Sequence, residues 1–179
     1  MVELKKDSYR GLIELANIII NEKGQKVVEI DTIIFSSKRK IDWDGVEKYL
    51  KKYVGQRYRL DETDDIIYIG SNFPDEYANS RYSTKALGTI GKAKANASQV
   101  IPELIQVATN VVFRENSDEK HIRNARFGWY RCTVRFSLPT CDDKGNIIGK
   151  NAFQGRMIIR FDEDGNKYLY DIIDIKKET

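Results

Sequence analysis

The strongest constraint on the fold is the alternation of side chains over residues 129–138, where an apolar set alternates strictly with a set that contains two arginines. Period-two alternation of this kind is typical of a β-strand with one buried face. Residues 154–161 alternate in the same way after a polar loop over residues 140–150, and an Asp164-Gly165 turn signal leads into a third strand over residues 167–175. The pattern predicts a three-stranded antiparallel meander with one apolar and one cationic face.

Helical and strand patterns are mixed in the remainder of the chain. Helices are predicted over residues 7–24, over residues 42–55 with Asp42 as the N-cap, and over residues 89–109, where Pro102 kinks the helix or begins a second one. Strands are predicted over residues 27–35, 57–60 and 66–70. The fold class is therefore α+β, with N-terminal helices packed on a mostly antiparallel sheet. We divide it into an N-terminal α+β part (residues 1–84) and a helix plus meander (residues 85–179), which together form one compact body.

Composition limits the class of protein. A chain of 179 residues with 41% hydrophobic and 32% charged residues can bury a core and has the balance of a globular protein. Cys132 and Cys141 are too few for a disulfide framework, and no segment has the length and apolarity of a signal or a membrane span. We expect a cytoplasmic protein that does not enter a membrane.

The net charge of +3 does not indicate a nucleic-acid partner, but the distribution of charge is uneven. Residues 60–80 hold six acids and no base, whereas residues 81–102 hold four bases and no acid. Two interpretations remain open. The segments are either two solvated surfaces of a mixed-charge protein or a phosphate-binding surface beside an acidic shoulder.

The polar side of the predicted meander carries four arginines on neighbouring strands, together with an aromatic and a hydroxyl side chain. These residues are Arg131, Arg135, Arg156, Arg160, Trp129 and Thr133. Arginine binds phosphate through paired hydrogen bonds, and an aromatic ring stacks on an unpaired base, so the set is suited to single-stranded RNA. The alternative is an exposed sheet face that uses arginine for solubility and cross-strand pairing.

His121 is the only histidine, which excludes a site that needs two catalytic imidazoles or three histidine ligands. It follows Lys120, and a single imidazole there could remove a 2′-hydroxyl proton while basic side chains stabilise the charged phosphate. A surface histidine in a basic loop is the alternative. Neither a zinc spacing nor a phosphate-binding glycine loop is present, and the acidic run at residues 61–65 is more typical of a solvated turn than of a magnesium site. We expect no cofactor and no metal.

The second half of the chain also resembles a known group of domains. The segments AKANASQVIPELIQVATN, KHIRNARFGWYRCTVRFSLP and RMIIRFDEDGNKYLYDIIDIKKET resemble domains of large polyvalent proteins of phages and conjugative elements, which are grouped with the barnase, EndoU, colicin E5/D and RelE-like nucleases. The resemblance implies metal-independent RNA cleavage through a 2′,3′-cyclic phosphate on the open face of an antiparallel sheet. Its candidate residues here are His121, Lys120, Arg131, Thr133 and Arg135. EndoU-type sites use two histidines, so a colicin D-like or RelE-like arrangement fits this chain better.

The leading hypothesis is an RNA-binding domain from a mobile genetic element, with tRNA as a candidate target. In its catalytic form, a toxin-like ribonuclease, the site is His121 with Lys120 and Thr133. RNA is held by Trp129, Arg131, Arg135, Arg156, Arg160 and Lys92. The second hypothesis is a non-catalytic interaction module, such as an immunity or accessory domain that meets a cognate partner protein, and the third is a DNA-binding adaptor.

Overall fold

The computed structural model describes residues 16–115 and 128–178 and shows a mixed α+β fold, which confirms the predicted class. Within these residues eight strands form one sheet in the order β1-β2-β6-β7-β8-β4-β3, and β5 pairs with β6. The strands are β1 (Ala16–Ile20), β2 (Lys26–Ile30), β3 (Arg57–Leu60), β4 (Asp65–Tyr68), β5 (Thr109–Arg114), β6 (Gly128–Cys141), β7 (Ile147–Phe161) and β8 (Lys167–Lys177). The helices are α1 (Trp43–Leu50), α2 (Phe73–Ala78), α3 (Arg81–Lys85), α4 (Gly88–Ala97) and α5 (Ile101–Val107).

The long strands β6, β7 and β8 are successive antiparallel neighbours at the centre of the sheet. Strands β6 and β7 are longer than the alternation predicts, because Thr140 still pairs with Gly149 and only residues 142–146 form the turn. Asp142 organises this turn by accepting hydrogen bonds from the backbone N–H groups of Lys144 and Asn146. The polar composition of residues 140–150 is therefore that of exposed strand ends around a short turn.

Strands from both halves of the chain join this centre. β2 runs parallel to β6 at Val28 and Phe136, and β4 runs parallel to β8 at Ile67 and Lys167. Antiparallel hairpins then extend the sheet, with β1 outside β2 and β3 outside β4. Residues from both the 1–84 and the 85–179 segments therefore share one sheet.

The predicted N-terminal helix is wrong where the structure describes it, because residues 16–20 are strand β1. This strand pairs with β2 through a turn in which Gly24 has φ +75°. Ile18, Ile19 and Ile20 are β-branched, and their restricted χ1 angle favours an extended backbone. The apolar spacing of so short a run fits both the period of a helix and the period of a strand. Pairing with the neighbouring strand β2 therefore decides that the segment is extended. Residues 7–15 of that prediction lie outside the described residues.

The other helical predictions agree with the structure, except that the helix predicted to end at residue 109 ends at Val107 and Thr109 begins β5. Asp42 caps α1, since its Oδ1 accepts a hydrogen bond from the Gly45 N–H at 3.0 Å. Pro102 lies in the first turn of α5, after a 3₁₀ turn over Ser98–Val100. Proline is tolerated there because the first N–H groups of a helix have no partner within the helix.

The predicted strand over residues 27–35 ends early, at Ile30. Beyond it the side chain of Asn96 in α4 accepts hydrogen bonds from the Ile34 and Phe35 N–H groups and donates to the Phe35 carbonyl. These bonds replace the ladder that a longer strand would need. They also attach Ile34 and Phe35 to α4.

The core contains side chains of both the helices and the sheet. Phe136 and Phe153 stack at 5.5 Å between ring centroids, and Leu50 and Leu104 are among the fully buried helix residues around them. Each such side chain contributes about 1.5–3 kcal/mol relative to exposure. Cys132 is also buried, and burial, with Glu62 as a lesser cause, raises the pKa of its thiol to about 12. None of the helices in the described residues has the length and apolarity needed to cross a membrane.

Candidate nucleic-acid interface

The predicted cationic side of the meander is assembled by the β6–β7 register. Trp129 lies opposite Arg160, Thr133 opposite Arg156, and Arg135 opposite Gln154. Directly opposed residues of antiparallel strands point to the same face, so the predicted set shares one side of the sheet. We call Arg131, Arg135, Arg156 and Arg160 the arginine face.

Three arginines of the arginine face already have carboxylate partners. Arg135 Nε lies 3.4 Å from Glu178 and Arg156 lies 3.3 Å from Asp174. Arg160 is 8% exposed and donates to Glu76 at 3.0 Å, with its Nε 3.9 Å from Asp162. These pairs fit the alternative of cross-strand and surface pairing. A carboxylate partner also competes with a phosphate for the guanidinium N–H donors.

The other residues of the predicted RNA-binding and catalytic set differ in their exposure and in their contacts. Arg131 is exposed and has no ion-pair partner among the described residues. Thr133 is half-buried between its register partners Thr109 and Arg156. Trp129 is half-buried, and its ring meets Tyr170 edge-on at 5.1 Å. His121 and Lys120 lie outside the described residues, so Thr133 is the one predicted catalytic residue whose surroundings are described.

A second group of basic side chains lies on α3, on α4 and on the loop before α1. We call Lys38, Arg39, Lys40, Arg81, Lys85 and Lys92 the basic surface. Lys92 is half-buried and the other five are exposed. Within the described residues none of the six forms an ion pair with a carboxylate.

Three local features bring the parts of the basic surface together. Ser80 caps α3 by accepting a hydrogen bond from the Ser83 N–H. The Gly88 N–H at the start of α4 donates to the Lys38 carbonyl at 2.9 Å, which places the Lys38–Arg39–Lys40 loop against that helix end. A Cβ at residue 91 would lie 2.4 Å from the Ala86 carbonyl oxygen, so Gly91 allows α4 to pack close to the end of α3.

The sequence predictions included Lys92 and the acid-free stretch from residue 81 but missed the loop lysines and arginine. The bonds from Asn96 and Gly88 that hold this loop join residues about fifty to sixty apart. The run Lys38-Arg39-Lys40 was the available signal, but a short charge run alone is typical of any solvated loop.

A cavity of about 420 Å³ opens beside the basic surface, between α3 and β8. Arg81, Tyr82 and Lys85 line it together with isoleucines of α4 and β8. Asp174 of β8 also lines it and has φ +51°, a left-handed conformation that is uncommon outside glycine but better tolerated by aspartate and asparagine. The α3–β8 cavity thus combines cationic, aromatic and apolar groups with one acid.

Behind this cavity lies a buried ion pair between α4 and β8. Lys94, which also lines the cavity, is 2% exposed, and its Nζ lies 2.7 Å from Oδ1 of the fully buried Asp171. Burial lowers the pKa of Lys94 and raises the pKa of Asp171, while the ion pair opposes both shifts. The Tyr77 hydroxyl donates to the Lys94 carbonyl at 2.6 Å. These contacts fix the position of α4 against β8.

The acidic run at residues 61–65 makes contacts within the fold. Arg59 pairs with Asp64 at 2.7 Å, and Lys167 pairs with Asp65 at 2.6 Å. Both carboxylate oxygens of Glu62 accept hydrogen bonds from the backbone N–H groups of Asn110 and Val111. The described residues contain no cluster of three or more histidine, cysteine, aspartate or glutamate side chains that could hold a metal ion.

The chain was compared with known protein families, curated proteins and solved structures. We found no match to this chain among protein-family models, curated proteins or solved structures.

Proposed function

We propose that this protein binds single-stranded RNA, and that the basic surface supplies most of its phosphate contacts. The observation that carries the proposal is the difference in pairing between the two cationic regions. The basic surface has six side chains without a carboxylate partner in the described residues, whereas three of the four arginines of the arginine face are paired.

Unpaired, exposed charges favour a polyanion for a simple reason. Each lysine or arginine that neutralises a phosphate releases counterions from the nucleic acid, and no protein ion pair has to be broken. The acid-free stretch at residues 81–102 also means that a strand lying on α3 and α4 meets no negative side chain of those helices. Tyr82 is 39% exposed within this surface and offers a ring for base stacking.

The arginine face has a secondary place in the proposal. Arg131 is exposed, and Arg156 forms an exposed ion pair that contributes about 0–1 kcal/mol, so both can be recruited by a bound strand. Arg135 and Arg160 have far less accessible side chains, at 12% and 9% exposure, and we assign them to the fold.

The binding test compares matched charge removals. We expect the variant Lys38→Ala/Arg39→Ala/Lys40→Ala to bind a fluorescein-labelled single-stranded RNA at least about tenfold more weakly than the parent protein. The plot of log affinity against log salt has a negative slope, and the magnitude of that slope should decrease by about 2. This is roughly 0.7 for each of the phosphates that is no longer neutralised. The control variant Lys23→Ala/Arg57→Ala/Lys144→Ala removes the same charge from exposed positions on three other turns and strands and should bind nearly as the parent does.

The same titrations distinguish this proposal from its rivals. Equal affinity of the two triple variants would refute the basic surface as the binding site. Tighter binding of duplex DNA than of single-stranded RNA would favour the DNA-binding adaptor. An absence of nucleic-acid binding by the parent would favour the interaction module.

RNA cleavage is a second step of the proposal, which rests on the resemblance to mobile-element nucleases and on His121. The test is incubation of the protein and its His121→Ala variant with total tRNA in EDTA, followed by end-group analysis. Cleavage by the parent alone, with 2′,3′-cyclic phosphate ends, would support a metal-independent ribonuclease. Binding without cleavage would restrict the function to RNA recognition.

A further inference from the structure

The α3–β8 cavity has the size and chemistry of a small-ligand site. Its volume of about 420 Å³ lies within the range of about 300–1,000 Å³ that such sites occupy. Sites of this kind combine apolar walls with a few polar groups that fix orientation. Here Ile90, Ile172 and Ile175 form part of the wall. The charged groups are Arg81 and Lys85 of α3, Asp174 of β8, and Lys94, whose ammonium is paired with the buried Asp171.

The cations of α3 and the carboxylate of β8 line different walls of the cavity, so a phosphate and a base would contact different walls. Arg81 and Lys85 come from α3, and neither has a carboxylate partner in the described residues. Asp174 comes from β8, where its Oδ2 pairs with Arg156 at 3.3 Å. A phosphate is attracted to the α3 end and repelled by the carboxylate, whereas the N–H groups of a base can donate to that carboxylate.

Tyr82 supplies the aromatic contact. The residue is 39% exposed, and the Arg81 guanidinium lies 5.1 Å from the centroid of its ring. A tyrosine beside an arginine can stack a base and hold the adjoining phosphate at the same time. Two other cavities of comparable size, at Glu62 and at Glu29, lack an aromatic side chain.

We propose that the α3–β8 cavity holds one nucleotide of a bound RNA strand, with the base between Tyr82 and the isoleucine wall and the phosphate at Arg81 and Lys85. This proposal rests on the proposed function and refines it, because it assigns a nucleotide-sized subsite to the basic surface. The ligand class is a nucleoside monophosphate unit whose base carries N–H donors toward Asp174.

The test uses calorimetric titration of the full chain with adenosine 5′-monophosphate, adenosine and inorganic phosphate, each at up to millimolar concentration. We expect the nucleotide to bind at least about tenfold more tightly than either fragment, because each fragment fills only one end of the cavity. Tyr82→Ala should weaken nucleotide binding by about 5- to 100-fold, whereas Tyr82→Phe, which keeps the ring, should stay within about twofold of the parent. Circular dichroism checks that both variants are folded.

Parallel titrations with single-stranded RNA separate this proposal from the proposed function. If RNA binding depends on Lys38, Arg39 and Lys40 but the nucleotide does not bind, or binds equally to Tyr82→Ala, the subsite is refuted and the function stands. If the nucleotide binds through Tyr82 but RNA does not bind, the function fails, and with it the assignment of the cavity to an RNA strand.

Discussion

The arginine face and the basic surface are both rich in cationic side chains, yet their surroundings differ. Distant parts of the chain bring carboxylates to the arginine face: Glu76 lies in α2 and Glu178 follows β8. No carboxylate within the described residues pairs with the basic surface. The comparison shows that the number of arginines on a face does not by itself predict phosphate binding. The carboxylate partners of those arginines must be known as well.

Burial explains why some cations of the fold are paired and others are not. Arg160 and Lys94 lie inside the fold, where an unpaired charge is costly, and each therefore has a partner, Glu76 and Asp171 respectively. Arg39 and Lys85 lie in water and need none. Pairing is thus a structural requirement for the buried Arg160, whereas the half-exposed pair of Arg156 is not one. The exposed cations of the basic surface have no carboxylate partner among the described residues.

The largest expected effect is the loss of stability when Arg160 is replaced. Arg160→Met leaves the partly buried Glu76 without its cation, and we expect the free energy of unfolding to fall by about 3 kcal/mol. The matched variant Arg81→Met should change it by less than about 0.5 kcal/mol, because Arg81 is exposed. Urea denaturation followed by circular dichroism measures both. Equal losses would contradict the distinction between a structural and an available arginine.

The effect of Arg160→Met should also depend on pH. Burial raises the pKa of Glu76, and Arg160 opposes that shift, so the pKa rises further in the variant. A carboxyl whose pKa is raised in the folded state keeps its contribution below the unfolded pKa and loses it as pH rises through the folded pKa. The difference in stability between parent and variant should therefore be smallest in acid and grow toward neutral pH. A difference that is flat with pH, or largest in acid, would remove Glu76 as its cause.

RNA affinity gives the next comparison. We expect Arg81→Ala/Lys85→Ala to lower the affinity for single-stranded RNA by about tenfold and to reduce the salt slope by about 1.4, since two phosphates are no longer neutralised. Arg135→Ala removes a charge of the arginine face that is already paired with Glu178 and should leave the salt slope nearly unchanged. Fluorescence anisotropy over about 50–200 mM salt measures both slopes. The reverse order would transfer the binding site to the arginine face.

The smallest expected effect concerns Arg156. Its ion pair with Asp174 joins two side chains that are about half exposed, at 48% and 54%. Such surface pairs contribute about 0–1 kcal/mol, so Arg156→Ala should lower the free energy of unfolding by less than about 1 kcal/mol in urea denaturation. A loss near that of Arg160→Met would mean that Arg156 is a structural residue too.

Local features of the sequence predicted several elements well. The Asp42 cap of α1, the break before Pro102 and the alternating strands over residues 129–138 and 154–161 depend on neighbours within a few residues. The side chains of Trp129, Arg131 and Thr133 share one face of a strand because successive side chains point to opposite sides. Those predictions needed no information from elsewhere in the chain.

The failures have long-range causes. The helix predicted at β1 is wrong because the apolar spacing there fits both a helix and a strand. The pairing with β2 decides between the two. The ion pairs Lys94–Asp171 and Arg160–Glu76 join residues 77 and 84 positions apart, so no local pattern reveals them. Hydrogen bonds to Gly88 and Asn96 of α4 bring the Lys38–Arg39–Lys40 loop to the basic surface.

The sequence by itself determined the mixed α+β class, the alternation of the central strands and the uneven distribution of charge, because each follows from local spacing and residue type. Only the tertiary structure decided which cations remain available, because ion pairing depends on the distance between groups that the chain brings together from far apart. It also decided that Arg81, Tyr82 and Lys85 of the acid-free stretch line a cavity, since packing of α3 and α4 against β8 creates that space.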